Sequence, residues 1–312
     1  MNRNRKKYFI PGLLCLAVLS GCANRSQEPA RRTFPAVTAP TVYIDPAARA
    51  EYMALHYWDL FDFTDTAYVG SAAGVTEQAL ADYLSILPYT SYQVICRGLT
   101  RVMEDAEKHE AMYAFISTHL EHFLFDLQSP LRNEEFFIPV LEQMVASKTL
   151  IEPRKVRPRQ LLSQLQKNRP STQAANIRYA LASGAKSSLH DLKTDFTLML
   201  FHNLDCGNCK ELANQIKNAP AVMEMQKRKR LTILAIYPGQ DVDAWKKHLS
   251  EMPSSWINGY DFDGEIYGQE LYVLRTVPTL YLIDRNHQVL MKDVPLNYVE
   301  HFMNNILNPP AQ

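Results

Sequence analysis

The chain has 312 residues, and its 33 basic side chains are balanced by 33 acidic ones. Without a basic surplus it offers no electrostatic footprint for nucleic acid, which is excluded as a partner. Five cysteines are few, so thiol or metal chemistry rests on a handful of positions.

The N-terminus reads "MNRNRKKYFIPGLLCLAVLSGC". Arg3, Arg5, Lys6 and Lys7 make a basic start, and residues 8–19 form an apolar run too short to span a bilayer stably. Leu19-Ser20-Gly21-Cys22 resembles a bacterial lipobox. That resemblance implies that residues 1–21 are a signal peptide cut before Cys22, and that Cys22 carries acyl chains, a durable membrane anchor at about 0.8 kcal/mol per buried CH2. No later stretch is apolar enough for a membrane helix. Loss of residues 1–21 removes four basic and no acidic side chains, so the charge becomes 0 − 4 = −4. Cys15 leaves with the signal, and Cys96, Cys206 and Cys209 remain as thiols. Ala23 follows the anchor with no acidic cluster after it, which is compatible with a periplasm-facing site on the outer membrane of a Gram-negative envelope.

Residues 22–44 contain Pro29, Pro35 and Pro40 and no helical period. They read as a tether reaching roughly 25 Å as a coil. At Asp45-Pro46 the texture changes to an N-cap and first-turn pair, followed by "AARAEYMALHYWDLFDF" with apolar residues at helical spacing. Further helices are predicted at 76–87, 91–104, 108–127, 134–147 and 158–167, and glycine is scarce. Residues 45–168 therefore read as an all-α domain. Within it, Cys96 reads as a buried helix residue, Trp58 as core, and the basic run "RKVRPR" as solvated linker. His119 and His122, in "HLEH", have an i,i+3 spacing that suits a metal, but such a pair more often sits partly exposed on a helix.

From residue 174 to 308 short apolar runs alternate with helical segments. Strands are predicted at 177–182, 196–202, 231–237, 279–283 and 289–292. Helices are predicted at 206–217, 220–229, 241–249, 264–272 and 296–307. This alternation implies an α/β sheet with covered faces, and a turn at 285–287 adds an antiparallel hairpin. Trp256 reads as core, and "KRKR" at 227–230 as helix-end charge.

Cys206 and Cys209, in "DCGNCKELANQ", stand where a buried strand hands over to a helix. At a helix N-terminus the unpaired N–H groups and the helix dipole stabilise a thiolate on Cys206, and Cys209 follows one turn later. A CxxC is also half of a zinc site, but a second pair is missing. Far downstream, "LRTVPTLYLID" places Pro278 just before a strand, where its missing N–H is harmless.

Strand-CxxC-helix followed by T-V-P-T and an apolar strand resembles the thioredoxin fold. The long spacing from Cys209 to Pro278, with "AIYPGQDVDAWKKHL" and "WINGYD" between, is similar to the TlpA-like thiol-disulfide oxidoreductases. The resemblance implies a mixed sheet flanked by helices with a cis proline facing the disulfide. It also implies exchange with protein thiols and disulfides and with a redox partner, and no cofactor. Cys206 is the implied nucleophile, Cys209 the resolving thiol, and Pro278 with Val277 the backbone edge that meets substrate. The segment "DPAARAEYMALHYWDLFDFTDT" is similar to an uncharacterised domain found ahead of thioredoxin-like domains in lipoproteins of Gram-negative anaerobes.

Several positions depart from the pattern. Asp205 replaces the usual Trp, and a carboxylate there disfavours the Cys206 thiolate. Leu200 stands where thioredoxins often bury an acid. Asn203 lacks the hydroxyl that a peroxidase of the peroxiredoxin type places three residues before its cysteine. Glu211 reads as a solvated first-turn residue, and His202 as a strand-end side chain independent of the cysteines. The alternative to an enzyme is a lipoprotein binding module carrying a thioredoxin-like domain.

Overall fold

The computed structural model describes residues 32–309; the predicted signal peptide and Cys22 lie outside them. Asp45 caps α1 (Pro46–His56), its carboxylate accepting from the Ala48 N–H at 2.8 Å. The helix ends at His56, short of the apolar pattern that continues to Phe63. Residues 57–63 turn instead, and Trp58, Phe61 and Phe63 are buried against one another. Phe34 packs its ring on Tyr57, Trp58 and Phe61 at centroid distances of 5.0–5.8 Å. Arg32 pairs with Asp65 at 2.7 Å, and the Tyr68 hydroxyl donates to the Thr33 carbonyl. Part of the segment read as a free tether is thus laid against the helices, through one aromatic that a proline-rich composition conceals.

The remaining helices of this region are α2 (Ala73–Ile86), α3 (Tyr92–Glu107), α4 (Glu110–Phe125), α5 (Glu134–Ala146) and α6 (Glu152–Leu165). They close around Leu80, Leu99, Met103, Ile116, Leu120 and Phe137, all fully buried. The last helix starts six residues before the predicted 158, with Pro153 in its first turn, where a missing N–H costs nothing. The run "RKVRPR" is therefore helical rather than linker. Arg157 pairs with Glu121, and Arg159 with Glu152.

The second region holds β1 (Arg178–Ala180), β2 (Lys186–Ser188), β3 (Phe196–Phe201), α7 (Gly207–Asn218), α8 (Pro220–Lys227), β4 (Leu231–Tyr237) and α9 (Val242–His248). Then follow β5 (Ile257–Tyr260), α10 (Glu265–Gly268), β6 (Thr279–Asp284), β7 (Val289–Lys292) and α11 (Leu296–Leu307). The strands form one sheet in the order β2-β1-β5-β4-β3-β6-β7. Strands β3, β4 and β5 are parallel and the remaining pairs antiparallel. Alternation along β3 assigns the two faces. Leu198 and Leu200 pack with Ile216, Val222 and Met303. Met199 and Phe201 pack with Ile177, Ile266 and Tyr281 on the other side.

Two strands escaped the sequence reading. In β2 the residues are polar and lie at a sheet edge. In β5 the "NG" pair imitates a turn, but Gly259 is there because the Tyr179 ring lies on it: a Cβ would sit 2.7 Å from Tyr179 Cδ2. The helix predicted at 264–272 shrinks to the four residues of α10. The Asp261 carboxylate caps it through the Glu265 and Ile266 N–H groups, and Gln269 ends it.

The two regions meet through partly buried charge. Glu134, in the first turn of α5, pairs with Arg275 at 3.2 Å and with Lys292 at 3.3 Å. Arg275 also donates to the Phe125 carbonyl at 2.6 Å and lies over the Phe125 ring. Arg132 pairs with Asp293 at 2.9 Å. Burial raises the Asp293 carboxyl above the usual carboxylate range.

Candidate functional site

Strand β3 ends at Phe201 and α7 begins at Gly207, so the five residues between them present the cysteines at the sheet's end. Cys206 is the N-cap of α7, in extended backbone. Its Sγ accepts from the Cys209 N–H at 3.1 Å, and its carbonyl accepts from Cys209 and Lys210. The sulfur therefore occupies the position where orphan helix N–H groups and the dipole favour negative charge. Cys206 and Cys209 are joined as a disulfide with Cα atoms 5.1 Å apart. Cys206 is half-buried, whereas Cys209 is buried beneath it, so an incoming partner meets Cys206 first.

The Val277-Pro278 peptide bond is cis. It places the Val277 carbonyl oxygen 3.7 Å from Cys206 Sγ. The structure thus brings together the four positions singled out in this region: Cys206, Cys209, Val277 and Pro278. Others stay apart. Glu211 is exposed and accepts from Gln215. Cys96 lies half-buried in α3. His119 bonds the Phe115 carbonyl while His122 faces Asp126, so the two rings serve different partners. Among the described residues no group of three or more His, Cys, Asp or Glu gathers as a metal set, and no helix is long and apolar enough to cross a membrane.

Sequence reasoning missed the surroundings of Cys209. A cleft of about 270 Å³ beside it is lined by His202, Lys210, His248 and Glu251 among others. His202 is buried, and neither of its ring nitrogens has a hydrogen-bond partner. Burial, helped by His248, pushes its pKa down to about 4. Lys210 and Glu251 pair at 2.8 Å at the cleft's rim. The signal was present in the alternation of β3: His202 lies two residues beyond Leu200, on the face that packs against α7.

Residues 194–289 match the family described as Thioredoxin-like. A solved thioredoxin-like protein from Bacteroides caccae is 40% identical over 88% of this chain and 98% of its own, with a TM-score of 0.83. The chain belongs to the thioredoxin-like family. Residues 19–168 match a domain of unknown function, DUF5106, so the thioredoxin-like sheet follows a helical region of unassigned role. The C-terminal domain of an uncharacterized Bacteroides fragilis protein is 39% identical over 44% of this chain and 98% of its own, with a TM-score of 0.43. The thioredoxin domain of a thiol-disulfide oxidoreductase from Bacteroides vulgatus is 23% identical over 44% and 99%, with a TM-score of 0.39. No curated protein matches the chain.

Proposed function

We propose that the protein is a thiol-disulfide oxidoreductase of the bacterial envelope, anchored through Cys22 and working by exchange at Cys206 and Cys209. One observation carries the reading: an exposed-side cysteine caps α7 with its partner buried directly behind it. In the reduced protein the Cys206 thiolate attacks one sulfur of a substrate disulfide, and the other sulfur leaves as a thiolate. The Cys209 thiolate then attacks Cys206 Sγ and releases the second substrate sulfur. The dithiol loses two electrons and the substrate disulfide gains them. The Val277 carbonyl, beside Cys206 and ahead of a proline without an N–H, is an open backbone acceptor for the substrate chain. The lipobox residues support the anchor. The name of the Bacteroides vulgatus neighbour supports the reaction class.

The test is a redox titration of the purified protein by thiol trapping in dithiothreitol buffers. A single two-electron couple is expected, with a slope near 30 mV per decade, absent from both Cys206→Ser and Cys209→Ser. A pair that never closes in the titration overturns the proposal. Labelling with radioactive palmitate in cells, lost in Cys22→Ser, tests the anchor separately.

A further inference from the structure

Cys209 is 4% exposed. A thiol buried to this degree ionises with difficulty, because desolvation disfavours the thiolate. The resolving step nevertheless needs that thiolate. Leu200, buried on the β3 face that packs against α7, offers no group to take the proton, so another acceptor is needed.

The cleft beside Cys209 supplies one. His202 continues β3, its N–H donating to the Ile236 carbonyl at 3.1 Å. Both ring nitrogens are buried without a protein partner, an arrangement that calls for a water or a functional role. The ring and Cys209 line the same cleft. His248 from α9 stacks with it at a centroid distance of 5.8 Å, and the Tyr237 ring of β4 lies at 6.5 Å. His248 Nδ1 is 3.8 Å from the Glu251 carboxylate, which is half-exposed at the rim and paired with Lys210. Lys217 of α7 is the other cation lining the cleft. One cleft thus holds the buried sulfur, the His202 ring stacked with His248, and, next to His248, the half-exposed Glu251 carboxylate at the rim.

We infer that His202 accepts the Cys209 proton during resolution, and that His248 and Glu251 carry that proton to solvent. The inference rests on the exchange reaction proposed above. In the mixed disulfide, Cys209 gives its proton to a His202 ring nitrogen and its electron pair to Cys206 Sγ. The bond from Cys206 Sγ to the substrate sulfur breaks, and that sulfur leaves as a thiolate and is protonated by water. When a donor thiolate opens the Cys206–Cys209 disulfide, the same path returns a proton to Cys209. Burial keeps the ring neutral while the disulfide is closed, its pKa lowered to about 4. A thiolate forming beside it supplies the opposite charge that raises the ring's affinity for a proton, so transfer and attack proceed together.

The test is a stopped-flow reaction of the reduced protein with dithiobisnitrobenzoate, which releases one thionitrobenzoate on attack by Cys206 and a second on resolution by Cys209. With an internal base, the second phase in the wild type stays level between about pH 5.5 and 8. His202→Gln is expected to slow that phase about 10²-fold at pH 6 and to make it climb tenfold per pH unit, with the first phase unchanged. His248→Gln is expected to give an intermediate loss. A wild-type second phase that already climbs tenfold per unit overturns the inference, whether or not the variants fold. So does a His202→Gln phase that coincides with the wild type. A wild type with no first phase removes the exchange reaction itself, and this inference with it.

Discussion

Glu134→Gln tests the junction between the two regions. Glu134 sits 3.2 Å from Arg275 and 3.3 Å from Lys292, with the three side chains 14%, 19% and 7% exposed. At an effective dielectric of 20 each contact is a gross attraction of about 5 kcal/mol, much of it offset by the desolvation of the charges. Removing one member of a buried pair typically costs about 3–5 kcal/mol, because the partner charge is stranded. Here both cations keep carbonyl partners, Arg275 on Phe125 and Lys292 on Leu165 and Lys167. The loss therefore falls at the low end, about 3 kcal/mol. At about 2–4 °C per kcal/mol for a chain of this size class, the melting temperature drops by about 6–12 °C. Calorimetry and urea unfolding measure it, beside the exposed pair variant Glu224→Gln, which is expected to leave the melting temperature essentially unchanged. A double-mutant cycle with Arg275→Met is expected to show about 0.5–3 kcal/mol of coupling. A shift below about 1 °C in Glu134→Gln, or strict additivity in the cycle, refutes the reasoning.

Two further outcomes follow from single side chains. His202 has a folded pKa near 4 against about 6.5 in the unfolded chain, so the unfolded state takes up its proton first as pH falls. The wild type then loses up to about 3 kcal/mol between about pH 6.5 and 4; urea unfolding of His202→Gln lacks that component, and parallel pH curves refute the assignment. Gly259→Ala drives a Cβ into Tyr179, which is 1% exposed and has no room to retreat. A loss of about 1–3 kcal/mol is expected in urea unfolding, and a neutral change refutes the close approach.

The elements readable from sequence were those whose pattern is made by one dominant force. The apolar runs of β3, β4 and β6 are central, covered strands, so burial alone writes them. The CxxC stood out because cysteine is scarce in this chain, and Pro278 because a proline directly before an apolar strand is chemically particular. Elsewhere a local signal was overruled by a partner distant in sequence. The helical period after Asp45 continues to Phe63, but the aromatics from Trp58 onward are taken by a cluster that includes Phe34. The "NG" of β5 reads as a turn until Tyr179 is seen lying on Gly259. His202 reads as an independent strand-end side chain for the same reason: its surroundings, a cleft shared with Cys209, are completed by His248 and Glu251, which are distant in sequence.

The helical region also bears on the chemistry through geometry. Arg275, fastened to Phe125 and Glu134, is two residues from Val277, whose carbonyl lies 3.7 Å from Cys206 Sγ. The segment from Arg275 to Pro278 has no strand pairing of its own, so this anchor on one side and the pairing of Thr279 with Phe201 on the other restrain where that carbonyl sits. In the proposed reaction a protein substrate uses the carbonyl to align its disulfide, whereas a small aromatic disulfide reaches Cys206 without it. Misplacement by about 1 Å is enough to slow an aligned reaction by up to about 10²-fold. Arg275→Met is therefore expected to slow reduction of a disulfide-bonded peptide about tenfold or more, while the first thionitrobenzoate phase changes by less than about twofold. Stopped-flow rates with the two substrates decide the matter. Equal slowing of both places the effect of Arg275 on Cys206 itself, and no slowing of either means the loop holds its position without the helical region.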